Sequence, residues 1–132
     1  MGDLEADAWN SKPGKAKELV KQSILANYRQ IVDQCQVAKQ QVVICSILPT
    51  YMPFIFSWKE RNELIVEVNE ALKAFCLEYN LIYVDYHREM VQSDGMTVKP
   101  GLMKEGLHPI STGYDLMSQI LRETLAEHGF RI

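Results

Sequence analysis

The chain has 132 residues, the length of one ordinary domain, with 47% hydrophobic residues, 23% charged residues and a formal net charge of −3. These values are typical of a globular protein and argue against wholesale disorder, while the absence of a basic cluster in the sequence argues against nucleic-acid binding. No apolar run approaches the roughly 18 residues of a membrane-spanning helix. We therefore expect one domain over residues 1–132, with no nucleic-acid partner and no membrane span.

The cysteines argue against a disulfide framework. Cys35, Cys45 and Cys76 are an odd set without C-x-x-C spacing, and each falls within an apolar segment. Such cysteines are most often buried free thiols. The three histidines form no H-x-x-x-H pair, so the sequence predicts neither a metal site nor a cofactor.

The first predicted element is a helix. Residues 1–13 lack periodicity, and helical periodicity runs from Lys15 to about Lys39. A core face is favoured over a partner-binding face, because a strand follows at once. The apolar stripe comprises Val20, Ile24, Tyr28 or Asn27, Ile31 and Cys35.

Two apolar runs, Gln41 to Leu48 and Leu81 to Tyr86, predict parallel strands. The first is continuous and β-branched, which is typical of a strand buried on both faces. The helix between them begins with a Ser57–Glu60 capping box and stops near Asn80. Strand, helix and strand together predict a right-handed crossover. The buried stripe of that helix comprises Ile65, Val68, Leu72 and Phe75 or Cys76.

The connection after the first strand, residues 50–56, is unusually hydrophobic for a loop. Loops normally run over the surface and carry function. Tyr51, Phe54 and the nearby Trp58 therefore either line a substrate pocket or pack beneath one. Because ligands bind outside the carboxyl ends of parallel strands, this loop and the loop after Tyr86 are expected at one edge of the sheet.

The loop after the second strand contains a possible acid–base pair. Glu105 precedes His108 by three residues, with Gly106 and Pro109 fixing the turn. A carboxylate that accepts the Nδ1 proton of an imidazole frees Nε2 to act as a base. The spacing alone favours an ordinary loop with a surface acid and a helix-capping histidine. A helix is predicted to begin at Ser111, to be capped by Ser111 or Thr112, and to end near His128.

The segment K-E-G-L-H-P-I-S-T-G-Y-D-L-M resembles the last motif block of the GDSL-type (SGNH) esterases and acylhydrolases, which runs D-G-x-H-P, a spacer, G-Y and a helix. The two predicted strands resemble the last two core strands of that family. The resemblance implies an α/β fold, a three-layer α/β/α (flavodoxin-like) parallel sheet of about five strands. This chain would hold only the last two, as the C-terminal part of a larger hydrolase domain acting on a small-molecule ester.

The sequence departs from the family pattern in three ways. Glu105 stands where the family usually has aspartate. The nucleophilic serine of the family lies in a G-D-S block that precedes the matched region, and no serine here sits on such a turn. Gly2 and Asp3 resemble a remnant of the family's G-x-N-D block, with Gly2 in place of the oxyanion-binding asparagine.

Two hypotheses follow from these observations. In the first, the chain carries the His108 base and its partner Glu105 of a serine ester hydrolase whose nucleophile lies outside it. In the second, it is a non-catalytic α/β module or inactive fragment that associates through its sheet edge. A two-stranded sheet leaves edges unpaired, which favours a homo-oligomer or completion by another chain.

Overall fold

The structure, a computed structural model, describes residues 13–50, 58–104 and 108–130. The chain divides into two compact units, Met1–Val42 and Val43–Ile132. The elements in chain order are α1 (Pro13–Val37), β1 (Val43–Cys45), α2 (Trp58–Tyr79), β2 (Ile82–Val84), α3 (Tyr86–Met90) and α4 (Ser111–Glu127).

The first unit contains α1, whose buried positions differ from the predicted stripe. Val20 and Val32 are buried, whereas Ile31 is 55% exposed. The prediction was wrong at Ile31. At about 100° per residue Ile31 lies nearly in line with Val20, so periodicity alone favours its burial. Which residues are covered depends on how the helix packs, and periodicity does not specify that.

The second unit is built on two parallel strands, as predicted. Val43 lies opposite Ile82 and Cys45 opposite Val84, with α2 connecting the strands. Both strands are shorter than the predicted ranges, and β1 is not buried on both faces because Val43 is 38% exposed. An apolar run permits burial on both faces, but burial also needs a layer on each face, which the run does not specify.

Helices cover both faces of β2, which confirms the α/β prediction. Ile82 and Val84 form a buried core with residues of α3, α4 and the connecting loop. Tyr83 alternates with them and faces the other way, where its hydroxyl donates to the carbonyl oxygen of Asn69 in α2 at 3.4 Å. The core comprises Ile82, Val84, Tyr86, Met90, Val98, Leu102 and Ile120.

The α2 helix ends as predicted but buries a slightly different stripe. Asn80 adopts a left-handed conformation with φ of 56°, and the Leu81 N–H donates to the Cys76 carbonyl at 2.8 Å. Leu64 is buried, whereas the predicted Ile65 is half-buried. Two of the buried residues are polar. The buried set is Asn62, Leu64, Val68, Asn69, Leu72, Phe75 and Cys76.

The thiol prediction holds only for Cys76. Its side chain is buried, and burial raises its pKa to about 11. Cys35 and Cys45 are free but only half-buried.

In the part of the chain that the structure describes, no three His, Cys, Asp or Glu side chains are grouped to hold a metal ion. None of the helices described is long and apolar enough to cross a membrane.

Candidate active site at the carboxyl edge of the sheet

The segment that leaves β1 is held by two asparagines of α2. Asn69 accepts the Ile47 N–H through Oδ1 at 2.8 Å and donates to the Ile47 carbonyl at 2.9 Å. Asn62 likewise accepts the Thr50 N–H at 3.1 Å and donates to the Thr50 carbonyl at 2.7 Å. The two asparagines are seven residues apart and therefore lie on one helix face. They supply the hydrogen bonds that a neighbouring strand would otherwise make. We call this pair the asparagine clamp.

The asparagine clamp fixes the backbone on which the predicted pocket residues follow. Tyr51 and Phe54 lie outside the described residues, so their pocket role stays a prediction. The same is true of Ser57 in the predicted capping box. Trp58 is the first residue of α2 and is half-buried. Its pocket role is likewise a prediction.

His108 lies in a short turn closed by main-chain hydrogen bonds. Met103 and Pro109 form an antiparallel bridge. The Lys104 N–H donates to the His108 carbonyl at 3.3 Å, and the Ile110 N–H donates to the Leu102 carbonyl at 2.9 Å. His108 itself is exposed. The turn therefore presents the imidazole at the surface from a backbone that is held on both sides.

Glu105 lies outside the described residues, so its hydrogen bond to His108 stays a prediction. The same applies to Gly2 and Asp3, the proposed remnant of an oxyanion block. The structure describes both ends of the turn around Glu105, at Lys104 and His108.

Gly113 allows α4 to pack against the His108 turn. A Cβ at Gly113 would overlap the Leu102 carbonyl oxygen and lie 3.0 Å from the Pro109 Cβ. The glycine of the G-Y pair is thus required by a close approach between the helix and the loop. The same carbonyl accepts the Ile110 N–H, so this contact bears directly on the backbone that carries His108.

The predicted cap of α4 was wrong. Ile110 occupies the N-cap position, and no side chain caps the helix; Ser111 and Thr112 are exposed. The hydrogen bond from the Ile110 N–H to the Leu102 carbonyl explains the difference, because it sets the point at which the backbone turns into the helix. The first helical hydrogen bond then runs from the Tyr114 N–H to the Ile110 carbonyl at 2.9 Å.

Sequence reasoning missed a polar cluster where the two connections meet. Ser46 is buried just after β1, and its Oγ accepts the His87 N–H at 2.9 Å. The His87 side chain is 7% exposed, and its Nε2 has no hydrogen-bond partner among the residues described. Burial lowers the pKa of His87, although Asp85 opposes that shift. A neutral imidazole is therefore favoured at this position.

The sequence contains a local signal for one member of this cluster. Asp85 caps α3 by accepting the Arg88 N–H at 3.0 Å, and an aspartate directly before a helical turn is a recognisable N-cap. The Ser46–His87 contact had no such signal, since its partners are 41 residues apart. Only the parallel pairing of the strands brings them together.

Solved structures share the fold of this chain. A proposed acylhydrolase from Bacteroides fragilis aligns with a TM-score of 0.73 at 25% identity, covering 82% of this chain and 52% of that one. A GDSL-like lipase from Bacteroides thetaiotaomicron gives 0.72 at 22% identity, covering 82% and 53%. The esterase domain of the ORF1 protein of the zebrafish ZfL2-1 retrotransposon gives 0.66 at 22% identity, covering 81% and 60%.

The fold is therefore that of the GDSL/SGNH-like α/β hydrolases. A family model for the GDSL-like Lipase/Acylhydrolase family matches residues 3–116, a range that includes the His108 turn. The chain belongs to this family. It spans between about half and three fifths of the length of these solved structures. A search of curated proteins gave no match.

Proposed function

We propose that this chain supplies the acid–base half of a serine ester hydrolase. His108 takes the proton of an attacking serine hydroxyl as the serine oxygen bonds to the ester carbonyl carbon. His108 then returns that proton to the leaving alkoxide. Water repeats the sequence on the acyl-enzyme and releases the acid. Glu105 orients the imidazole by accepting its Nδ1 proton, as glutamate does in other hydrolase triads.

The observation that carries this proposal is the family match over the His108 turn. Three features of the described residues support it. His108 is exposed, its turn is closed by backbone hydrogen bonds, and the segments after β1 and β2 meet at the Ser46–His87 contact on the same sheet edge. A general base must be accessible to substrate and held in position by its surroundings.

The nucleophile is expected outside this chain. Ser46 is the serine nearest the carboxyl end of β1, but it is buried and its Oγ already accepts the His87 N–H. A nucleophile needs an adjacent base and an exposed oxygen. Ser46 therefore suits a structural role, and a G-D-S serine from further polypeptide is proposed instead.

The substrate is proposed to be a small ester bound against Tyr51, Phe54 and Trp58. Phe54 is wholly apolar, whereas Tyr51 and Trp58 are large apolar side chains with one polar group each. Such a lining suits an acyl or alcohol group. The asparagine clamp supports this role because it holds Thr50, the residue before Tyr51, at a defined place beside α2. Trp58 begins the same helix.

Hydrolysis of p-nitrophenyl acetate tests the proposal. The 132-residue chain alone should show negligible turnover. A longer polypeptide that joins it to a G-D-S segment should turn over, and His108→Ala should lower its kcat by roughly 10²- to 10⁴-fold. His128→Ala is the matched control, because His128 follows the far end of α4, roughly 25 Å away along the helix.

Two results would contradict this assignment. Turnover by the longer protein that survives His108→Ala would remove His108 from the chemistry. Turnover by the 132-residue chain alone that His108→Ala abolishes would place the nucleophile within it, which would refute the division of roles.

A second candidate function is association without catalysis, and the exposed strand β1 favours it. Val43 is 38% exposed, and the sheet has two strands in the residues described. An unpaired apolar strand edge is a template for pairing. Sedimentation at micromolar concentration decides the matter: a dimer that Val43→Lys dissociates supports this role, whereas a well-folded monomer argues against it.

A further inference from the structure

We propose that the free edge of β2 is a docking site for an extended, basic segment of another protein, which adds to the sheet as a third strand. This inference does not depend on the esterase proposal. It concerns the strand edge that faces away from β1, together with the helices α2 and α4 beside it.

The backbone geometry identifies which groups face outward. The Val84 carbonyl accepts the Ser46 N–H at 2.9 Å. The main-chain groups of Val84, and those of Ile82 two residues earlier, therefore point towards β1. In a parallel ladder the N–H and C=O of one residue point to the same side. Tyr83 therefore presents both of its main-chain groups outward. Within the described ranges, no third strand pairs with them.

A groove of about 510 Å³ runs along this edge, and we call it the edge groove. Its floor includes Leu81, Tyr83 and Asp85, the alternate residues of the strand and its flanks. Leu77 of α2 forms one wall and is 78% exposed, while Leu116 of α4 contributes to the other. Outward-facing main-chain groups with a leucine on each side suit an extended peptide.

The charge of the edge groove selects a basic occupant. Four carboxylates line it against two cations, Lys73 and Arg88. Glu123 and Glu127 lie in the last turns of α4, where the helix dipole is also negative. A lysine- or arginine-bearing strand would relieve this repulsion, whereas an acidic one would add to it. The carboxylates are Asp85, Glu89, Glu123 and Glu127.

Fluorescence anisotropy with a labelled hexapeptide of alternating lysine and valine tests the proposal in the full chain. We expect saturable binding that weakens as salt is raised. An alternating glutamate–valine peptide should bind at least tenfold more weakly. The lysine–valine peptide methylated on alternate backbone nitrogens should also lose at least tenfold, since it cannot complete the ladder.

Two charge-reversed variants locate the site. Glu123→Lys with Glu127→Lys should weaken binding at least tenfold. Glu67→Lys with Glu78→Lys makes the same change in charge at exposed positions of α2 that do not line the edge groove, and it should change affinity less than threefold. Circular dichroism verifies that both variants are folded. Hydrogen exchange at the Tyr83 amide should slow at least tenfold when the peptide is bound.

Several outcomes would overturn the inference. One is an absence of saturable binding, and another is equal binding of the methylated peptide. Equal weakening by the two charge variants would mean that net charge alone attracts the peptide. A homodimer that Glu123→Lys with Glu127→Lys dissociates would make a second copy of this chain the occupant instead.

Discussion

The two connections that leave the carboxyl edge of the sheet are held by different kinds of contact. After β1, side chains of the asparagine clamp bind the backbone of Ile47 and Thr50. After β2, the backbone binds itself through the Met103–Pro109 bridge, and Gly113 admits the helix against it. The first connection depends on two side chains, whereas the second depends on the absence of one. The two connections should therefore fail in different ways.

The largest effect is expected from breaking the asparagine clamp. Asn62→Ala removes the partners of the Thr50 N–H, carbonyl and hydroxyl groups, and Asn62 is 1% exposed. Leaving three part-buried polar groups of Thr50 without partners, at about 1 kcal/mol each or more, should lower the free energy of unfolding by about 2–4 kcal/mol. Urea denaturation measures the change.

Asn27→Ala on the exposed side of α1 is the matched control for that experiment. It should leave the free energy of unfolding within about 0.5 kcal/mol of the wild-type value. An Asn62→Ala protein as stable as this control would mean that water or a rearranged backbone replaces the asparagine clamp. The connection after β1 would then not depend on these two side chains.

A smaller effect is expected from Gly113→Ala. Alanine favours a helix over glycine by about 1 kcal/mol, but the added Cβ would overlap the Leu102 carbonyl, which is backbone and cannot rotate away. The steric cost should exceed this gain in helix propensity and destabilise the fold by about 1–3 kcal/mol. Ser118→Ala, at an exposed position of α4, provides the control and should change the free energy of unfolding by less than about 0.5 kcal/mol.

The Gly113→Ala variant also tests whether the two connections are independent, with the His108 imidazole as the reporter. Because the Leu102 carbonyl accepts the Ile110 N–H, Gly113→Ala should shift the NMR resonances of the His108 imidazole. Asn69→Ala, in the other connection, should leave them in place. A shift of equal size in both variants would show that the two connections behave as one unit.

The third effect is a pH dependence at His87, where the connections meet. Burial lowers the pKa of His87 below its ordinary value of 6.5. As pH falls below 6.5, the unfolded state binds a proton that the folded state does not. The stability is therefore greatest above 6.5 and decreases as pH falls towards the lowered pKa.

His87→Gln should remove that component of the pH dependence. We expect the difference in free energy of unfolding between pH 7.5 and pH 5 to be smaller in His87→Gln than in the wild type. His128→Gln, at an exposed histidine, should behave as the wild type does. Identical pH profiles for all three proteins would contradict a buried neutral His87.

Several features of the fold were predictable because their signals are local. The strand–helix–strand order, the stop at Asn80 and the final helix up to Gly129 each depend on the conformational preferences of a few adjacent residues. The P-x-x-x-G-Y spacing likewise marked the His108 turn. The extent of burial was less predictable, as Ile31 and Val43 show, because it depends on what covers a residue.

The sequence by itself determined the α/β class, the family and the candidate base His108, since periodicity and a short motif are written in neighbouring residues. Tertiary structure alone decided the role of Asn62 and Asn69, the contact of Ser46 with His87, and the need for glycine at position 113. Each of these joins segments that are distant in the chain. Their partners are selected by the register of the parallel strands and the packing of α4, and no local preference of the backbone encodes either one.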